Sequence, residues 1–444
     1  MKFNKWTMGL AAVGVVSLAS AARADEKMSV VNTALTGTTL SGYVDVSAQW
    51  NLGSQNEKVT SSPNGAVTSG TTPNYAFNSG KADGFNFNSI DLALDKPEAE
   101  GSWAAGYHAE LMAGPDSVPG VGYSSVNSSG NNNSYATSAT PGGVSVRQAY
   151  IALGTPIGNS RVDWKVGVFD NSIVGYESNS DPANPNYTRS YGYTMEPTTF
   201  TGILATYKVT DMLALQAGIA DGYQVAEPGY AQNWTIGPTA INGRDTQETK
   251  KAYMGAITFT APDNWGWMKG ATLNAGVINN DNGTTYNATT MTDTFGTTSY
   301  YVGATVPTPL TGLKFGLAWD YLDFHDAHHI QFANSDSSQW NVGLYASYQA
   351  NDNLIFNLRA EHLEYNVALQ NEKFQGLANS DEFTATVQYK IWDNVLSRVE
   401  FRWDHTEHGT PFDNASNANV RGNSSGYGIH DNAFMLAANL IYQF

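Results

Sequence analysis

Arginine and carboxylate side chains alternate with apolar side chains in two stretches of this chain. Successive side chains of an extended strand point to opposite faces, so the charged residues of each stretch would share one face. Fixed charges of both signs on one face set up an electric field that acts on ions in adjacent water. The pattern favours a charged wall in contact with water; the alternative is a lattice of cross-strand ion pairs that only stabilises the wall. The residues are Arg359, Glu361, Arg398, Glu400, Arg402 and Asp404.

The opposite faces of these stretches are apolar. Val399, Phe401 and Trp403, for example, alternate with the charged residues of the second stretch. An Arg or Lys side chain that faces lipid at the bilayer midplane costs about 2–4 kcal/mol, so in a membrane the charged faces must point away from lipid. A closed sheet near sixteen strands leaves an aqueous interior that could receive them. Further candidates for this inner wall are Asp163, Lys165 and Asp320.

Histidines lie beside a carboxylate in the run H-D-A-H-H, which contains His325, His328 and His329. Imidazoles together with a carboxylate could bind zinc. The simpler interpretation is a polar strand end, because the run matches no fixed metal-binding scaffold. The sequence leaves a metal site here as an open alternative, and we expect none.

A second acid–histidine combination surrounds His405, with Asp404, Glu407 and His408 close in sequence. Such pairs could serve a hydrolase, but no serine or second acidic pair lies at a recognisable spacing. We therefore expect no enzymatic activity and no cofactor.

The elements that would position these side chains are strands. Two-residue alternation recurs about sixteen times, and long polar gaps alternate with short turns. Charged residues make up 14% of the chain against about 25% in soluble proteins. No apolar run after the N-terminus reaches the roughly 20 residues of a membrane helix. The expected fold is an all-β, transmembrane antiparallel barrel of about sixteen strands with long external loops and short periplasmic turns.

The final stretch, Asn432 to Phe444, has one apolar face and one mixed face, and it ends on an aromatic residue. Its length suits one tilted membrane crossing, which takes roughly 9–11 residues. It resembles the closing strand of bacterial outer-membrane β-barrels, and this resemblance implies that it closes the barrel and is recognised by the barrel-assembly machinery. Aromatic residues expected near the periplasmic ends, as a girdle at the membrane interface, are Trp265, Trp267, Trp392, Tyr442 and Phe444.

Residues 1–24 have the pattern of a cleaved secretory signal peptide: a basic start, an apolar core and an A-x-A site before Asp25. Residues 25–444 would then form one domain, with a short lead over 25–39 and the barrel over 40–444. The expected signal peptide contains three of the 23 Lys and Arg residues. Without it the chain has 20 basic and 40 acidic residues, a formal charge of about −20. Nucleic-acid binding is disfavoured by that charge. The chain has no cysteine, so disulfides do not stabilise it.

Several short segments, taken together with the first and last strands, resemble the putative β-barrel porin-2 (OmpL-like) family of bacterial outer-membrane proteins. The resemblance covers about Leu40 to Phe444 and implies a general or loosely selective porin without a defined substrate. The segments are VRQAYIAL at 146–153, WKVGVF at 164–169, GYE at 175–177, NPNY at 184–187, SY at 190–191, EP at 196–197 and TG at 201–202.

In sixteen-stranded porins the third external loop commonly folds into the lumen, and here that loop is Asn171 to Pro197. By this analogy its charged residues would contribute to a constriction, where fixed charges and aromatic rings set selectivity. The alternative is an external loop that packs on its neighbours. The charged residues are Glu177, Asp181, Arg189 and Glu196.

The expected function is passive diffusion of small hydrophilic solutes and ions through a channel in the cell outer membrane. The alternative is a barrel with a plugged lumen and a structural or surface-interaction role. Expected partners are outer-membrane lipid, lipopolysaccharide and the barrel-assembly machinery, with a homotrimer as a further possibility. The acidic balance favours a weak preference for cations.

Overall fold

Sixteen strands form the fold; on most of them outward apolar side chains alternate with inward polar ones, whereas some strands also bury apolar side chains such as Leu204, Met254 and Ile278. The computed structural model describes residues 37–52, 60–61, 67–68, 83–99, 101, 103–116, 121–123, 144–158, 160–222, 251–280, 285–288, 291–294, 296–325, 337–366, 379–407 and 431–444. The strands are β1 (Thr39–Leu52), β2 (Gly84–Lys96), β3 (Ala104–Ala113), β4 (Val144–Ile157), β5 (Ser160–Asp170), β6 (Thr199–Lys208), β7 (Leu213–Ala220), β8 (Ala252–Thr260), β9 (Thr272–Asn280), β10 (Gly296–Pro307), β11 (Leu313–His325), β12 (Ser337–Gln349), β13 (Leu354–Asn366), β14 (Ser380–Trp392), β15 (Val395–Thr406) and β16 (Asn432–Gln443).

The sheet closes on itself. Each strand pairs antiparallel with the next one in the chain, and β1 pairs with both β2 and β16. At the closure Tyr43 lies opposite Gln443 and Leu52 lies opposite Phe434. Closure satisfies the backbone donors and acceptors of both edge strands, which lipid could not do. The expected antiparallel barrel of sixteen strands is confirmed.

The connections differ at the two ends of the barrel. At one end, here called the turn end, short connections join β2 to β3, β4 to β5, and so on to β14 and β15. At the other, the loop end, longer segments join β1 to β2 and the remaining pairs. Short elements also occur: strands Thr60–Ser61, Val67–Thr68, Val121–Tyr123, Thr285–Ala288 and Met291–Thr294, the 3-10 helices Asp181–Ala183 and Asp263–Met268, and the helix α1 (Tyr191–Met195).

The two faces of the sheet reverse the usual arrangement of a soluble protein. On β15, Val399 and Phe401 are exposed on the outer face, whereas Arg398 and Arg402 on the inner face are 1% and 0% exposed. An apolar outer band and a polar interior are what a barrel in lipid requires. Arg398 and Arg402 therefore face the interior of the barrel.

Large aromatic side chains surround the turn end. Trp265 and Trp267 lie on the connection after β8, Trp392 ends β14, and Tyr442 and Phe444 lie at the end of the chain. All five are substantially exposed, as interface anchors would be.

Parts of several sequence predictions fall outside the described residues. The expected signal peptide, residues 1–24, is not described, and neither are residues 25–36 of the expected lead, His328, His329 and His408. His325 is the last residue of β11, and only its backbone is described. In the described part of the chain, no helix has the length and apolar content to cross a membrane.

Candidate functional site

The segment between β5 and β6, residues 171–198, lies inside the barrel and is called here the inner loop. Its two ends are fastened together at Asn171, whose side-chain amide donates to the carbonyls of Val174 at 2.9 Å and Pro197 at 2.8 Å. The Asn171 backbone amide also donates to the carbonyl of Thr198 at 2.9 Å. This asparagine thereby closes the base of the loop, in the way Asn side chains stabilise turns.

Some backbone groups of the inner loop form hydrogen bonds with side chains of the loop itself. The side-chain amide of Asn184 donates to the carbonyls of Ser178 and Ser180, and its Oδ1 accepts from the Ser178 amide at 2.8 Å. Ser190 caps the short helix α1, because its hydroxyl accepts from the Tyr193 amide at 2.9 Å. A buried segment outside the sheet needs such partners for its polar groups.

One side of the inner loop contacts β1 and β2. The hydroxyl of Ser89 donates to the Asp181 carboxylate at 2.7 Å. The hydroxyl of Tyr187 donates to the side chain of Gln49 at 3.1 Å and lies 3.0 Å from the hydroxyl of Ser47. These contacts hold the loop against the strands at which the barrel closes.

The inner loop also contacts β15, two strands away from β1 in the closed sheet. Arg398 donates to the carbonyls of Asp181 at 3.0 Å and Asn184 at 2.6 Å. Arg402 donates to the carbonyl of Arg189 at 2.7 Å. The wall arginines therefore bind loop backbone, so their charges anchor the loop as well as lining the interior.

Carboxylates of the wall accept hydrogen bonds from backbone amides of the inner loop. Glu400 accepts from the backbone amides of Tyr187 at 2.5 Å and Thr188 at 2.9 Å. Glu361 accepts from the backbone amide of Tyr191 at 2.8 Å. Charge-assisted hydrogen bonds of this kind are stronger than neutral ones.

Arg359 on β13 is the central cation of the interior and is completely buried. Its guanidinium bonds Glu177 of the loop at 2.8 Å and Glu382 of β14 at 3.0 Å, and it donates to the carbonyl of Thr188 at 2.9 Å. Because an unpaired buried charge is costly, this arginine requires partners from both the wall and the loop.

Arg402 and Asp404 form a second buried pair on β15, with Nη2 of the arginine 2.7 Å from Oδ1 of the aspartate. The hydroxyl of Tyr191 donates to the same carboxylate at 2.7 Å. Burial and the nearby Asp404 carboxylate raise the pKa of Tyr191, so this phenol stays a hydrogen-bond donor.

Glu382, which bonds Arg359, is absent from the predicted wall residues. Alternation within β14 places Glu382 on the same inward face as Thr384 and Thr386, so the two-residue period of this strand is the signal that could have found it.

A second buried cluster was also missed and lies on β2 to β5. Arg147 bonds Asp91 at 3.4 Å, Glu110 at 3.0 Å and Asp170 at 2.9 Å. His108 lies two residues before Glu110 on β3, and its Nε2 atom is 3.2 Å from Oε2 of Glu110. The sequence signal for this cluster is Arg147, an inward-facing arginine in the segment VRQAYIAL. Its partners could not be found from that segment, because they lie on three other strands.

Below the inner loop, toward the turn end, lies a cavity of about 1960 Å³ with both polar and apolar side chains in its lining. Asp163 and Lys165 line it, as do Ser178 and Asn184 of the loop. The Lys165 ammonium lies 4.9 Å from the centre of the Tyr150 ring. The cavity is therefore bounded by charged residues of the wall and by the side of the inner loop that faces the turn end.

Asp163 and Lys165 are the only members of the predicted set that neither belong to the inner loop nor contact it. Glu177, Asp181, Arg189 and Glu196 are loop residues; Asp181 bonds Arg189 at 2.8 Å. The remaining wall residues contact the loop: Asp320, Arg359, Glu361, Arg398, Glu400, Arg402 and Asp404. Their role in a constriction stays a prediction.

Comparison with known proteins adds a family. The family model described as "Putative beta-barrel porin-2, OmpL-like" matches residues 37–444. No curated protein matches the chain.

Several solved structures are similar in fold. The outer membrane channel DcaP of Acinetobacter baumannii has a TM-score of 0.54 at 13% identity, covering 92% of this chain and 97% of that one. OprB of Pseudomonas putida has a TM-score of 0.53 at 11% identity, covering 92% and 94%. The trimer form of OmpT, an outer membrane protein of Vibrio cholerae, has a TM-score of 0.51 at 12% identity, covering 92% and 99%.

Proposed function

This chain belongs to the "Putative beta-barrel porin-2, OmpL-like" family, and we propose that it is a porin through which small hydrophilic solutes and ions diffuse passively. Membership of this porin family supports a location in the outer membrane. A gradient of the solute drives such transport, so the mechanism needs no cofactor and no coupled energy source.

The observation that carries the proposal is the large cavity under the inner loop, whose lining includes charged side chains. It has a volume of about 1960 Å³ and is lined by ionisable groups such as Asp163 and Lys165. Charged walls are stable next to water and unfavourable in a dry interior. A cavity of this size and lining supports an aqueous path on the turn side of the loop.

The inner loop is proposed as the constriction of that path. It carries Glu177, Asp181, Arg189 and Glu196, and aromatic side chains such as Tyr176 limit the free space. Tyr176 stacks on Tyr345 of β12 with ring centres 4.1 Å apart. Solute size would be limited by the loop backbone and these rings, and ion preference by the fixed charges.

The runner-up function is a barrel whose lumen the inner loop plugs. One observation favours it: the loop leaves the wall between β5 and β6 and contacts β13, about eight strands away in the closed sheet, through Glu177 and Arg359, so it reaches across the interior. In this version the protein would have a structural or surface-interaction role.

Single-channel recording in a planar bilayer distinguishes the two functions. The mature chain would be refolded, and heat-modifiable migration on a gel would show that the barrel is folded. Discrete, reproducible current steps are expected for a porin. A folded barrel that never conducts would contradict the proposed function and favour the plugged one.

Assembly and export complete the proposal. Residues 1–24 would be removed on export, and the strand that ends in Phe444 would be recognised by the barrel-assembly machinery. The apolar outer face would contact outer-membrane lipid and lipopolysaccharide. A homotrimer is proposed because the trimer form of OmpT has a similar fold, and current steps in groups of three would support it.

A further inference from the structure

The outer face of the barrel carries a polar row at the loop end. His362, Asp381, His405 and Asn432 lie opposite one another on β13, β14, β15 and β16. One outward position closer to the turn end, the corresponding row on β14 to β16 is aromatic: Phe383, Trp403 and Phe434. The polar row therefore begins where the apolar band ends, at the expected boundary between membrane and water.

Three ligand-bearing side chains converge in this region. The Nδ1 atom of His362 lies 2.8 Å from Oδ1 of Asp381. Glu407 follows β15. Its backbone amide donates to the carbonyl of Asn379 at 2.9 Å, which holds Glu407 close to His362 and Asp381. One nitrogen or oxygen atom from each of the three side chains lies within 4.8 Å of the others, and no other such trio occurs among the residues described.

We propose that His362, Asp381 and Glu407 bind one divalent cation of the zinc type. An imidazole nitrogen with two carboxylate oxygens suits zinc, whereas magnesium and calcium prefer oxygen ligands throughout. Water would occupy a fourth position, as in other three-ligand zinc sites.

The geometry needs only a small adjustment to accept the metal. Metal–ligand bonds near 2.0–2.1 Å place tetrahedral ligand atoms about 3.3 Å apart. The hydrogen bond between His362 and Asp381 must lengthen slightly, and the exposed Glu407 side chain must move toward it. Binding would use a neutral imidazole and ionised carboxylates, so the affinity would fall in acid.

The proposed site is separate from the interior. Strand alternation directs His362 and Asp381 outward, whereas their chain neighbours Glu361 and Glu382 point inward to Arg359. A bound metal would connect β13, β14 and the residue after β15 at their loop ends. The bound metal would stabilise the rim of the barrel at the loop end. The proposed site does not depend on whether the barrel conducts.

The test is calorimetric titration of the refolded mature chain, freed of metal with a chelator, using zinc chloride and then magnesium chloride. Saturable binding of one zinc per chain is expected, with zinc binding at least about tenfold tighter than magnesium. His362→Gln and Glu407→Gln should each weaken zinc binding by about tenfold or more, the range over which metal-site substitutions act. Heat-modifiable migration would confirm that each variant is folded.

Two controls locate the site. His405→Gln changes an imidazole in the same polar row that is not one of the three ligands, so zinc binding should be retained. A combined His325→Gln, His328→Gln and His329→Gln variant should also retain it. Absence of saturable zinc binding, or loss of binding in either control with full binding in His362→Gln, would overturn the proposal.

Discussion

The carboxyl group of Glu196, at the base of the inner loop, lies beside the carboxyl group of Asp320 on β11. Both side chains are buried, and within the described residues no group donates a hydrogen bond to either oxygen of Asp320. A Cβ atom on Gly192 would lie 2.6 Å from Oδ2 of Asp320, so glycine lets the loop backbone approach this pair. Two adjacent buried carboxyl groups repel each other when both are ionised, so we expect them to share one proton, which would link the loop to the wall.

This link should make the inner loop sensitive to alkaline pH. Burial, followed by the Asp320 carboxyl, raises the pKa of Glu196, and the nearby Glu177 and Glu361 raise it further. Tyr301 of β10 also faces the pair. Because the raised pKa favours the neutral acid, the link is present at low pH and is lost as the pH rises through that pKa.

We therefore expect single-channel current noise, or protease cleavage within residues 171–198, to increase at alkaline pH in the native protein. Glu196→Gln keeps a hydrogen-bond donor toward Asp320 but cannot ionise, so its response to pH should be much smaller. An equal alkaline response in Glu196→Gln would show that the link does not control the loop.

Loss of the central cation should destabilise the barrel. Arg359→Met would leave Glu177 and Glu382 buried without their main cation, which typically costs about 3–5 kcal/mol. The measurement is urea-induced unfolding in detergent, where the midpoint should fall. Lys390→Met is the matched control: it removes an exposed ion pair with Asp393, and such pairs contribute about 0–1 kcal/mol. Similar midpoints for the two variants would contradict the role assigned to Arg359.

Shortening the inner loop should enlarge the channel. Replacing residues 178–194 with a short Gly-Ser linker keeps Asn171 and Pro197, which close the base of the loop. If the loop is the constriction, single-channel conductance should rise about twofold or more, because pore width limits ion flow. Shortening residues 229–245 by the same number is the control and should leave conductance near its original value. Unchanged conductance in the 178–194 variant would mean that another segment sets the width.

The channel should favour cations weakly, because the chain without the expected signal peptide would carry a formal charge near −20. Reversal potentials under a salt gradient measure this preference, which should diminish at high salt as charges are screened. Lys165→Glu places a carboxylate in the cavity and should increase the preference. Lys269→Glu makes the same charge change on an exposed connection and should alter it less. A reversal potential that favours chloride in the native protein would contradict the expectation.

Much of the architecture was predictable because its signals are local. In β15 the alternation of Arg398, Glu400 and Arg402 with Val399 and Phe401 shows both the strand and its orientation, since a membrane penalises a charged outer face. The same reasoning repeated along the chain indicates an even number of strands. It also places aromatic residues at the strand ends.

The partners of each charge were not predictable in this way. Arg147 meets carboxylates from three other strands, and Glu196 meets Asp320, which is distant in sequence. A two-residue period says which face a side chain occupies, but it carries no information about what lies opposite across a closed barrel.

The sequence by itself determined the strands, their two faces and the closed sheet, because each follows from alternation along the chain and the cost of exposing charge to lipid. Only the tertiary structure decided that residues 171–198 pass through the interior and that Arg359 connects Glu177 of the loop with Glu382 of the wall. Barrel closure brings distant strands around one segment, and burial then requires every charge there to find a partner.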